Sequence, residues 1–140
     1  MQGQDIQEEE FSDKELIKKE YSIIRKLYKK HLYVKKMDAD GNCLFNAVSD
    51  QLYGKQDYSS EIRALCCEYL KIEKDYYADY ITSNNINTYI QIMAKDGVWG
   101  GNIELQVLSE LYNVKIEIYV WSDEPINTLN EDCSSDNTLR

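Results

Sequence analysis

The chain has 140 residues and a formal net charge of −9 at pH 7, from 16 Lys and Arg against 25 Asp and Glu. Its 43% hydrophobic and 29% charged residues are typical of one globular domain with its own core, which excludes a wholly disordered chain. The acidic balance disfavours binding to the phosphate backbone of nucleic acids, which needs clustered Lys and Arg, and favours a partner with a basic face.

The N-terminal part is predicted to be a flexible lead-in followed by a helix. Residues 1–11 are polar and acidic, whereas Ser12 and Glu15 form the sequence pattern of a capping box, which predicts a helix over residues 12–31. Apolar residues recur at helical spacing along it, so we expect one face to pack on the rest of the protein. These residues are Leu16, Ile17, Ile23, Ile24, Leu27 and Tyr28. Residues 32–34 are a short strand candidate.

The middle of the chain is predicted to be helical. Residues 38–42 are rich in types that tolerate tight backbone geometry and predict a turn. The apolar spacing from Cys43 onward predicts a helix that ends at Gly54, with core positions Leu44, Phe45, Val48 and Leu52. Another helix begins at Ser59 or Ser60, and its buried stripe is Ile62, Leu65, Cys66 and Tyr69. Shorter helices fit residues 76–81 and 87–95.

The last part combines a glycine-rich loop, a helix and a strand. Residues 97–101 predict the loop, Asn102 is a helix cap, and Asn113 is a left-handed stop. Residues 114–121 alternate apolar and polar side chains, which is the pattern of a half-buried strand. Residues 122–140 are polar and acidic and predict an exposed loop. Many helices with few strands indicate an α+β domain.

The four cysteines do not form the pattern of a metal site or a disulfide framework. Cys66 and Cys67 are adjacent and have neither CxxC spacing nor a nearby histidine, so we expect no metal and no cofactor. The stripe position of Cys66 predicts a buried structural thiol, and Cys133 in the polar tail predicts an exposed one.

The sequence shows no pattern that targets it to a membrane. No apolar run approaches the length of a membrane span, and the N-terminus lacks the basic-then-apolar pattern of a signal peptide. We therefore expect a cytoplasmic or nuclear monomer that binds neither membranes nor nucleic acid.

Cys43 is the cysteine whose sequence context predicts a reactive thiol. A turn that leads directly into a helix places it in the first helical turn, where free amides and the helix dipole favour the reactive thiolate. The preceding Asp40, Gly41 and Asn42 can curl so that their amides converge on one point, as an oxyanion hole requires, and Gly41 allows close approach of the backbone. The alternative is a buried helix cysteine after an ordinary turn.

Three blocks of the sequence occur in a recognisable order. The first is Asp40-Gly41-Asn42-Cys43-Leu44-Phe45-Asn46-Ala47-Val48, followed by Asp50-Gln51-Leu52-Tyr53-Gly54. The second is Trp99-Gly100-Gly101-Asn102-Ile103-Glu104-Leu105, and the third is the strand over residues 114–121. In this order they resemble the nucleophile motif, the loop-then-helix segment and the following strand of the ovarian tumour (OTU) family of cysteine deubiquitinases. The resemblance covers about residues 32–140, and Glu124-Pro125-Ile126-Asn127-Thr128 is most similar to the subgroup around deubiquitinating enzyme A.

The resemblance implies a papain-like α+β fold over residues 32–140, with a small mixed β-sheet packed between helices. It also implies cleavage of isopeptide bonds between ubiquitin and lysine side chains, with ubiquitin or polyubiquitin as the partner. Cys43 would be the attacking thiolate and Asp40 a member of the catalytic group. The amides of Gly41, Asn42 and Cys43 would hold the oxyanion.

The second block would border the channel for the Gly-Gly tail of ubiquitin. The residues that the resemblance assigns to this channel are Trp99, Gly100, Gly101, Asn102 and Glu104. Small residues and a flat aromatic suit a narrow slot that admits only an unbranched tail. The alternative for Trp99 is an aromatic that anchors the surface.

The general-base histidine of the family has no counterpart in this sequence. The family carries it on the last strand of the domain, followed by an aromatic, whereas the one histidine here is His31, at the end of the first predicted helix. That position favours a helix-terminal cation. We therefore expect the chain to lack the family's last strand, by truncation, and to be inactive or nearly so as it stands. The alternative is a pseudoenzyme that keeps its ubiquitin-binding surface.

The sequence is thus compatible with two classes of function. One is the catalytic domain of an OTU-type thiol isopeptidase, and the other is a module that binds ubiquitin without cleaving it. Retention of Cys43, Asp40 and the glycine-rich loop favours descent from an active enzyme. A soluble α+β domain with an incidental cysteine is a third reading, which the three ordered motifs disfavour.

Overall fold

The structure, a computed structural model, describes residues 12–81 and 85–140 and contains mainly helices. The helices are α1 (Asp13–Lys29), α2 (Cys43–Tyr53), α3 (Ser59–Ile72), α4 (Lys74–Tyr77), α5 (Ile86–Met93) and α6 (Asn102–Leu111), with a 3₁₀ turn at Ala78–Tyr80 after α4. The strands are β1 (Lys115–Ile118), β2 (Asn127–Leu129) and β3 (Thr138–Leu139). The predicted acidic lead-in over residues 1–11 lies outside the described residues. No described helix is both long enough and apolar enough to cross a membrane.

The three strands form one mixed sheet with β1 in the middle. β2 pairs with β1 antiparallel, β3 pairs with it parallel, and Ile116 stands opposite Leu129 on one side and Leu139 on the other. Ile116 and Leu139 are buried, so this face of the sheet closes the core that the helices supply. The predicted α+β class with a small mixed sheet is therefore confirmed.

The core lies between α2, α3, α5, α6 and β1. Its fully buried apolar side chains are Phe45, Ile62, Cys66, Leu70, Val107, Leu108 and Val114. The spacing of Ile62, Cys66 and Leu70 along α3 is the i, i+4, i+8 stripe of an amphipathic helix. Cys67 is buried beside them and Leu65 is half exposed, so the buried face of α3 is turned slightly from the predicted stripe. The start of α2 is therefore held in place by the core, into which its Phe45 side chain packs.

The strand predictions were wrong at two places. Residues 32–34 form no strand, because this short run has no partner among the described residues. The strand predicted over residues 114–121 ends at Ile118, and the chain turns away with Trp121 at φ 51°. Residues 122–140 are not simply a loop, since both edges of β1 take a partner from them. β2 and β3 are too short and too polar for their own pattern to reveal them.

Helix α1 begins as predicted but packs less than predicted. Ser12 and Glu15 form the reciprocal capping box, with both N···O distances 3.3 Å. Of the predicted apolar stripe only Leu27 is fully buried, and most of the other side chains on it are exposed. Two contacts attach the helix to the residues after β1: Lys30 Nζ lies 2.5 Å from Glu124 Oε1, and Lys19 Nζ lies 5.3 Å from the centre of the Trp121 ring.

The carboxylate of Glu110 joins two tyrosines at the edge of the core. Glu110 Oε2 accepts hydrogen bonds from the hydroxyls of Tyr69 at 2.8 Å and Tyr77 at 2.9 Å. Burial, together with the bond to Glu110, raises the pKa of Tyr69 to about 12. The same causes raise the pKa of Tyr77. Both hydroxyls therefore keep their protons in the folded protein at a pH where free tyrosines ionise.

The free energy of unfolding is expected to fall as the pH rises from about 10 through 12, because the unfolded tyrosines lose protons first. Tyr77→Phe should make this alkaline fall shallower, since it removes one of the groups that cause it. At neutral pH the same variant should cost about 1 kcal/mol through the lost hydrogen bond. Urea unfolding at neutral and alkaline pH measures both effects. Tyr28→Phe, at an exposed tyrosine, is the control, and equal alkaline slopes in both variants would contradict the prediction.

Candidate active site

Cys43 is the first residue of α2 and is partly exposed. Residues 40–43, which we call the nucleophile loop, lead into it through a tight turn with Gly41 at φ 80°. In this turn the Asn42 amide donates to Asp40 Oδ1 at 2.9 Å. The predicted turn and helix start are thus confirmed, and the thiol stands where the first amides of the helix face outward.

The turn leaves two of the three predicted oxyanion donors unpaired. The amides of Gly41 and Cys43 have no acceptor among the described residues, whereas the Asn42 amide is occupied by Asp40. In this conformation Asn42 therefore does not present the free amide that was predicted for it. Asp40 consequently acts on the geometry of the loop through the hydrogen bond it accepts.

A second loop, residues 96–101, packs against the nucleophile loop, and we call it the glycine loop. Gly41 lies so close to it that a Cβ there would overlap the Gly97 carbonyl. The Asn42 side chain joins the two loops, since Oδ1 accepts from the Gly97 amide at 2.9 Å and Nδ2 donates to Asp96 Oδ1 at 3.2 Å. The backbone on the two sides of the thiol therefore forms one unit.

The glycine loop also lies against α2 itself. A Cβ on Gly100 would be 3.2 Å from Leu44 Cδ1 and 3.4 Å from the Phe45 ring. Trp99, Gly101 and Asn102 are exposed at the surface of this loop, and the Trp99 side chain is 59% exposed. Three of the residues predicted to border a substrate channel are thus accessible beside Cys43's helix, and Gly100 supplies the close packing behind them.

Glu104 does not lie at the surface where the prediction placed it. Its side chain is fully buried, with Oε1 accepting from the Gly101 amide at 2.8 Å and Oε2 accepting from the Tyr89 hydroxyl at 2.6 Å. Burial and this hydrogen bond raise the pKa of Tyr89. Glu104 therefore fixes the end of the glycine loop. It is the third residue of α6, and a carboxylate at this position can accept a hydrogen bond from the backbone amide of the residue that caps the helix.

His31 lies on a different element from Cys43 and makes no hydrogen bond with its thiol in the described residues. It is exposed, just beyond the end of α1, and it lines a cavity of about 300 Å³ together with Tyr33, Lys35 and Asp50. Cys43 is not among the residues that line this cavity. Within residues 12–81 and 85–140, no histidine is hydrogen-bonded to the Cys43 thiol.

Arg63 is the site residue that sequence reasoning missed. It lies on α3 with 4% of its surface exposed, and its guanidinium is 4.4 Å from the centre of the Phe45 ring. Nη2 donates to Asn42 Oδ1 at 2.7 Å and to the Gly41 carbonyl at 3.3 Å. The sequence did carry a signal for Arg63: it lies three residues before Cys66, so it shares a helix face with a residue predicted to be buried. A charged residue on a buried face is unusual.

A thiol in the first turn of a helix, next to unpaired amides and an accessible glycine loop, is the arrangement of a cysteine protease. The amides can stabilise negative charge that develops on a carbonyl oxygen under attack by the thiol. Comparison with known proteins agrees: the chain belongs to the family of OTU-like cysteine proteases, whose match covers residues 38–138. The predicted family is thereby confirmed.

Individual relatives give the same result. The chain is 43% identical over 102 residues to rat OTU domain-containing protein 5, and 39% identical over 109 residues to the Arabidopsis thaliana OVARIAN TUMOR DOMAIN-containing deubiquitinating enzyme 6. These matches cover 73% and 78% of this chain but 18% and 21% of the two relatives, so the chain spans about a fifth of their length. Membership of the subgroup around deubiquitinating enzyme A stays a prediction.

Solved structures share the fold. The OTU domain of OTUD1 superposes with a TM-score of 0.66 at 30% identity, covering 72% of this chain and 65% of that one. An OTU domain in complex with ubiquitin has a TM-score of 0.64 at 23% identity and covers 76% of this chain and 60% of that one. The predicted OTU fold is therefore confirmed.

Proposed function

We propose that this chain is the catalytic region of a cysteine deubiquitinase, in which Cys43 attacks the isopeptide bond between the C-terminus of ubiquitin and a lysine. The observation that carries the proposal is the packing of the glycine loop on the nucleophile loop. It brings the exposed residues Trp99, Gly101 and Asn102 close to the start of the helix that carries the thiol. The curated relative named as a deubiquitinating enzyme supports the same substrate class.

The site residues have different roles in the proposed reaction. The Cys43 sulfur bonds to the carbonyl carbon, the carbonyl oxygen gains the negative charge, and the amides of Cys43 and Gly41 hold it. The charged oxygen then re-forms the carbonyl, the C–N bond breaks, and the lysine amine leaves with a proton equivalent to the one that the Cys43 thiol gave up. Water later hydrolyses the thioester, which releases the ubiquitin carboxyl group and returns the thiol. Trp99 and Asn102 would border the slot for the tail of ubiquitin.

A second function is favoured by one observation, that no histidine is hydrogen-bonded to Cys43 in the described residues. Proton transfer by a positioned base contributes about 10²–10⁴-fold to a rate, so turnover by these residues alone would be slow. The competing proposal is therefore a module that binds ubiquitin without cleaving it.

Ubiquitin aldehyde, in which an aldehyde replaces the C-terminal carboxylate, separates the two functions because its addition to a thiol reaches equilibrium without a base. For an OTU-type catalytic site we expect the aldehyde to bind at least about 100-fold more tightly than unmodified ubiquitin. Cys43→Ser should abolish the difference and leave binding of unmodified ubiquitin intact, and Cys133→Ser is the matched control at a second partly exposed cysteine.

The remaining outcomes are equally decisive. Equal affinity for the two ligands would favour the binding module over the enzyme. If neither ligand binds, both proposals fail.

Asp40 variants test how that residue acts. Asp40→Ala removes the acceptor of the Asn42 amide, so we expect affinity for ubiquitin aldehyde to fall about tenfold and stability to fall by about 1 kcal/mol. Asp40→Asn keeps an oxygen in the same place and should retain most of both. Titration calorimetry and urea unfolding measure the two quantities. Equal losses in the two variants would show that the charge of Asp40, rather than its hydrogen bond, is what matters.

A further inference from the structure

Arg63 is a buried cation without a carboxylate partner in the described part of the chain. Its four acceptor contacts are to the Met93 carbonyl at 2.8 Å, the Met93 sulfur at 3.9 Å, the Gly41 carbonyl and Asn42 Oδ1. Removing a charge from water is costly unless hydrogen bonds compensate for it. Here every compensating hydrogen bond lies either on the end of α5 or on the nucleophile loop, and the Phe45 ring of α2 covers the guanidinium.

The contact with Gly41 fixes the plane of one peptide group. In a trans peptide the carbonyl and the amide point in opposite directions, and the described chain contains no cis peptide. Arg63 holds the carbonyl of the Gly41–Asn42 peptide from the side of α3, and Asp40 holds its amide from the other side. Neither bond alone would prevent rotation of this peptide, because each fixes only one edge of it.

The contact with Asn42 extends this control to the second loop. Asn42 Oδ1 accepts from Arg63 and from the Gly97 amide, at 2.7 and 2.9 Å. Helix α3, the nucleophile loop and the glycine loop therefore meet at one oxygen atom. The guanidinium fork is suited to this place because it presents several donors in a fixed geometry, which a lysine ammonium does not.

We infer that Arg63 is a positioning residue for acyl transfer: by holding the Gly41–Asn42 peptide and the glycine loop, it sets the two flanking amides, those of Gly41 and Cys43, in the arrangement that receives the oxyanion. This inference rests on the proposed function. Arg63 acts through Gly41, Asn42 and Gly97 and has no role as a proton donor or nucleophile.

The test compares Arg63→Lys and Arg63→Met with Arg25→Met, which removes the same charge from an exposed site on α1. Each variant is titrated with unmodified ubiquitin and with ubiquitin aldehyde. In the adduct the Cys43 sulfur bonds to the aldehyde carbon, and the π pair of the C=O bond moves to the oxygen. That oxygen takes the thiol proton, so the product is a hemithioacetal with no change of oxidation state.

A positioning role predicts a split between the two titrations. Arg63→Lys should weaken the aldehyde complex about tenfold or more while binding of unmodified ubiquitin stays as in the wild type, and Arg25→Met should change neither. Arg63→Met should show the same split with a larger loss. If Arg63→Met does not fold, Arg63→Lys, which keeps the charge, decides alone. Unchanged titrations in Arg63→Lys, or losses for both ligands that follow a loss of stability, would overturn the inference.

Amide hydrogen exchange keeps the test independent of ubiquitin. In Arg63→Lys the Gly97 amide should exchange faster, because its acceptor Asn42 Oδ1 is no longer held. The Thr88 amide, which donates to Asn85 Oδ1 at 2.9 Å at the start of α5, should be unchanged. If the wild type binds neither ubiquitin ligand, the proposed function fails, and this measurement still decides whether Arg63 positions the glycine loop. An unchanged exchange rate of the Gly97 amide would contradict that positioning.

Discussion

Gly41→Ala is expected to reduce the affinity for ubiquitin aldehyde by about 100-fold, because it displaces the oxyanion site. Gly41 has φ 80°, and an added Cβ would overlap the Gly97 carbonyl. The left-handed backbone alone costs an L-residue about 1–2 kcal/mol. The overlap adds to this cost, since backbone atoms cannot move aside as the end of a flexible side chain can. We therefore expect a loss of at least about 3 kcal/mol in unfolding free energy.

The matched control for this variant is Gly54→Ala. Gly54 ends α2 with φ 76°, and an added Cβ would meet nothing within 4 Å. This variant should lose only the backbone term of about 1–2 kcal/mol and keep the affinity for the aldehyde. If the two alanine variants behave alike, the close approach of Gly41 to Gly97 is not what holds the site together.

Glu104→Ala is the second substitution with a large expected effect. It leaves a cavity in the core and removes the acceptor of both the Tyr89 hydroxyl and the Gly101 amide. Unpaired buried groups cost about 1–3 kcal/mol each, so we expect a loss of about 4 kcal/mol, which is a large fraction of the stability of a small domain. Urea unfolding monitored by circular dichroism measures this loss.

Glu104→Gln separates the hydrogen bonds from the charge. The glutamine oxygen can still accept from the Gly101 amide, and its amide can donate to the Tyr89 oxygen, so about 1 kcal/mol should be lost. A loss as large as that of Glu104→Ala would mean that the negative charge itself is required at this buried position.

Periodic patterns predicted the helices well because a buried stripe recurs every three or four residues whatever the partner is. The helix from Cys43 to Gly54 is an example, with Phe45 and Val48 buried as expected. Strands β2 and β3 escaped prediction because two or three residues carry no period, and only the edges of β1 determine that they pair. For α1 the pattern predicted the helix but not its sparse packing, which depends on what the neighbouring elements leave uncovered.

The candidate site was predictable where its residues are adjacent in sequence. Residues 40–43 carry a thiol, and local rules of backbone geometry predict that a turn ends and a helix starts at that thiol. Arg63 and Tyr89 belong to the site through contacts with residues 15 or more positions away, so no local pattern reveals them. The misplaced prediction for Glu104 has the same origin, because its motif position does not show whether the side chain points outward or into the core.

The bond between Asn42 and Gly97 joins residues 55 positions apart, and this distance bears on the order of folding. Such a contact closes a long loop, so it forms only after α3 and α5 have brought the two segments together. During synthesis the thiol of Cys43 leaves the ribosome well before the segment that will cover its flank. In that interval the nucleophile loop lacks the contact that fixes its geometry. The arrangement that makes Cys43 a nucleophile is therefore completed only after the glycine loop has been synthesised and has packed against it.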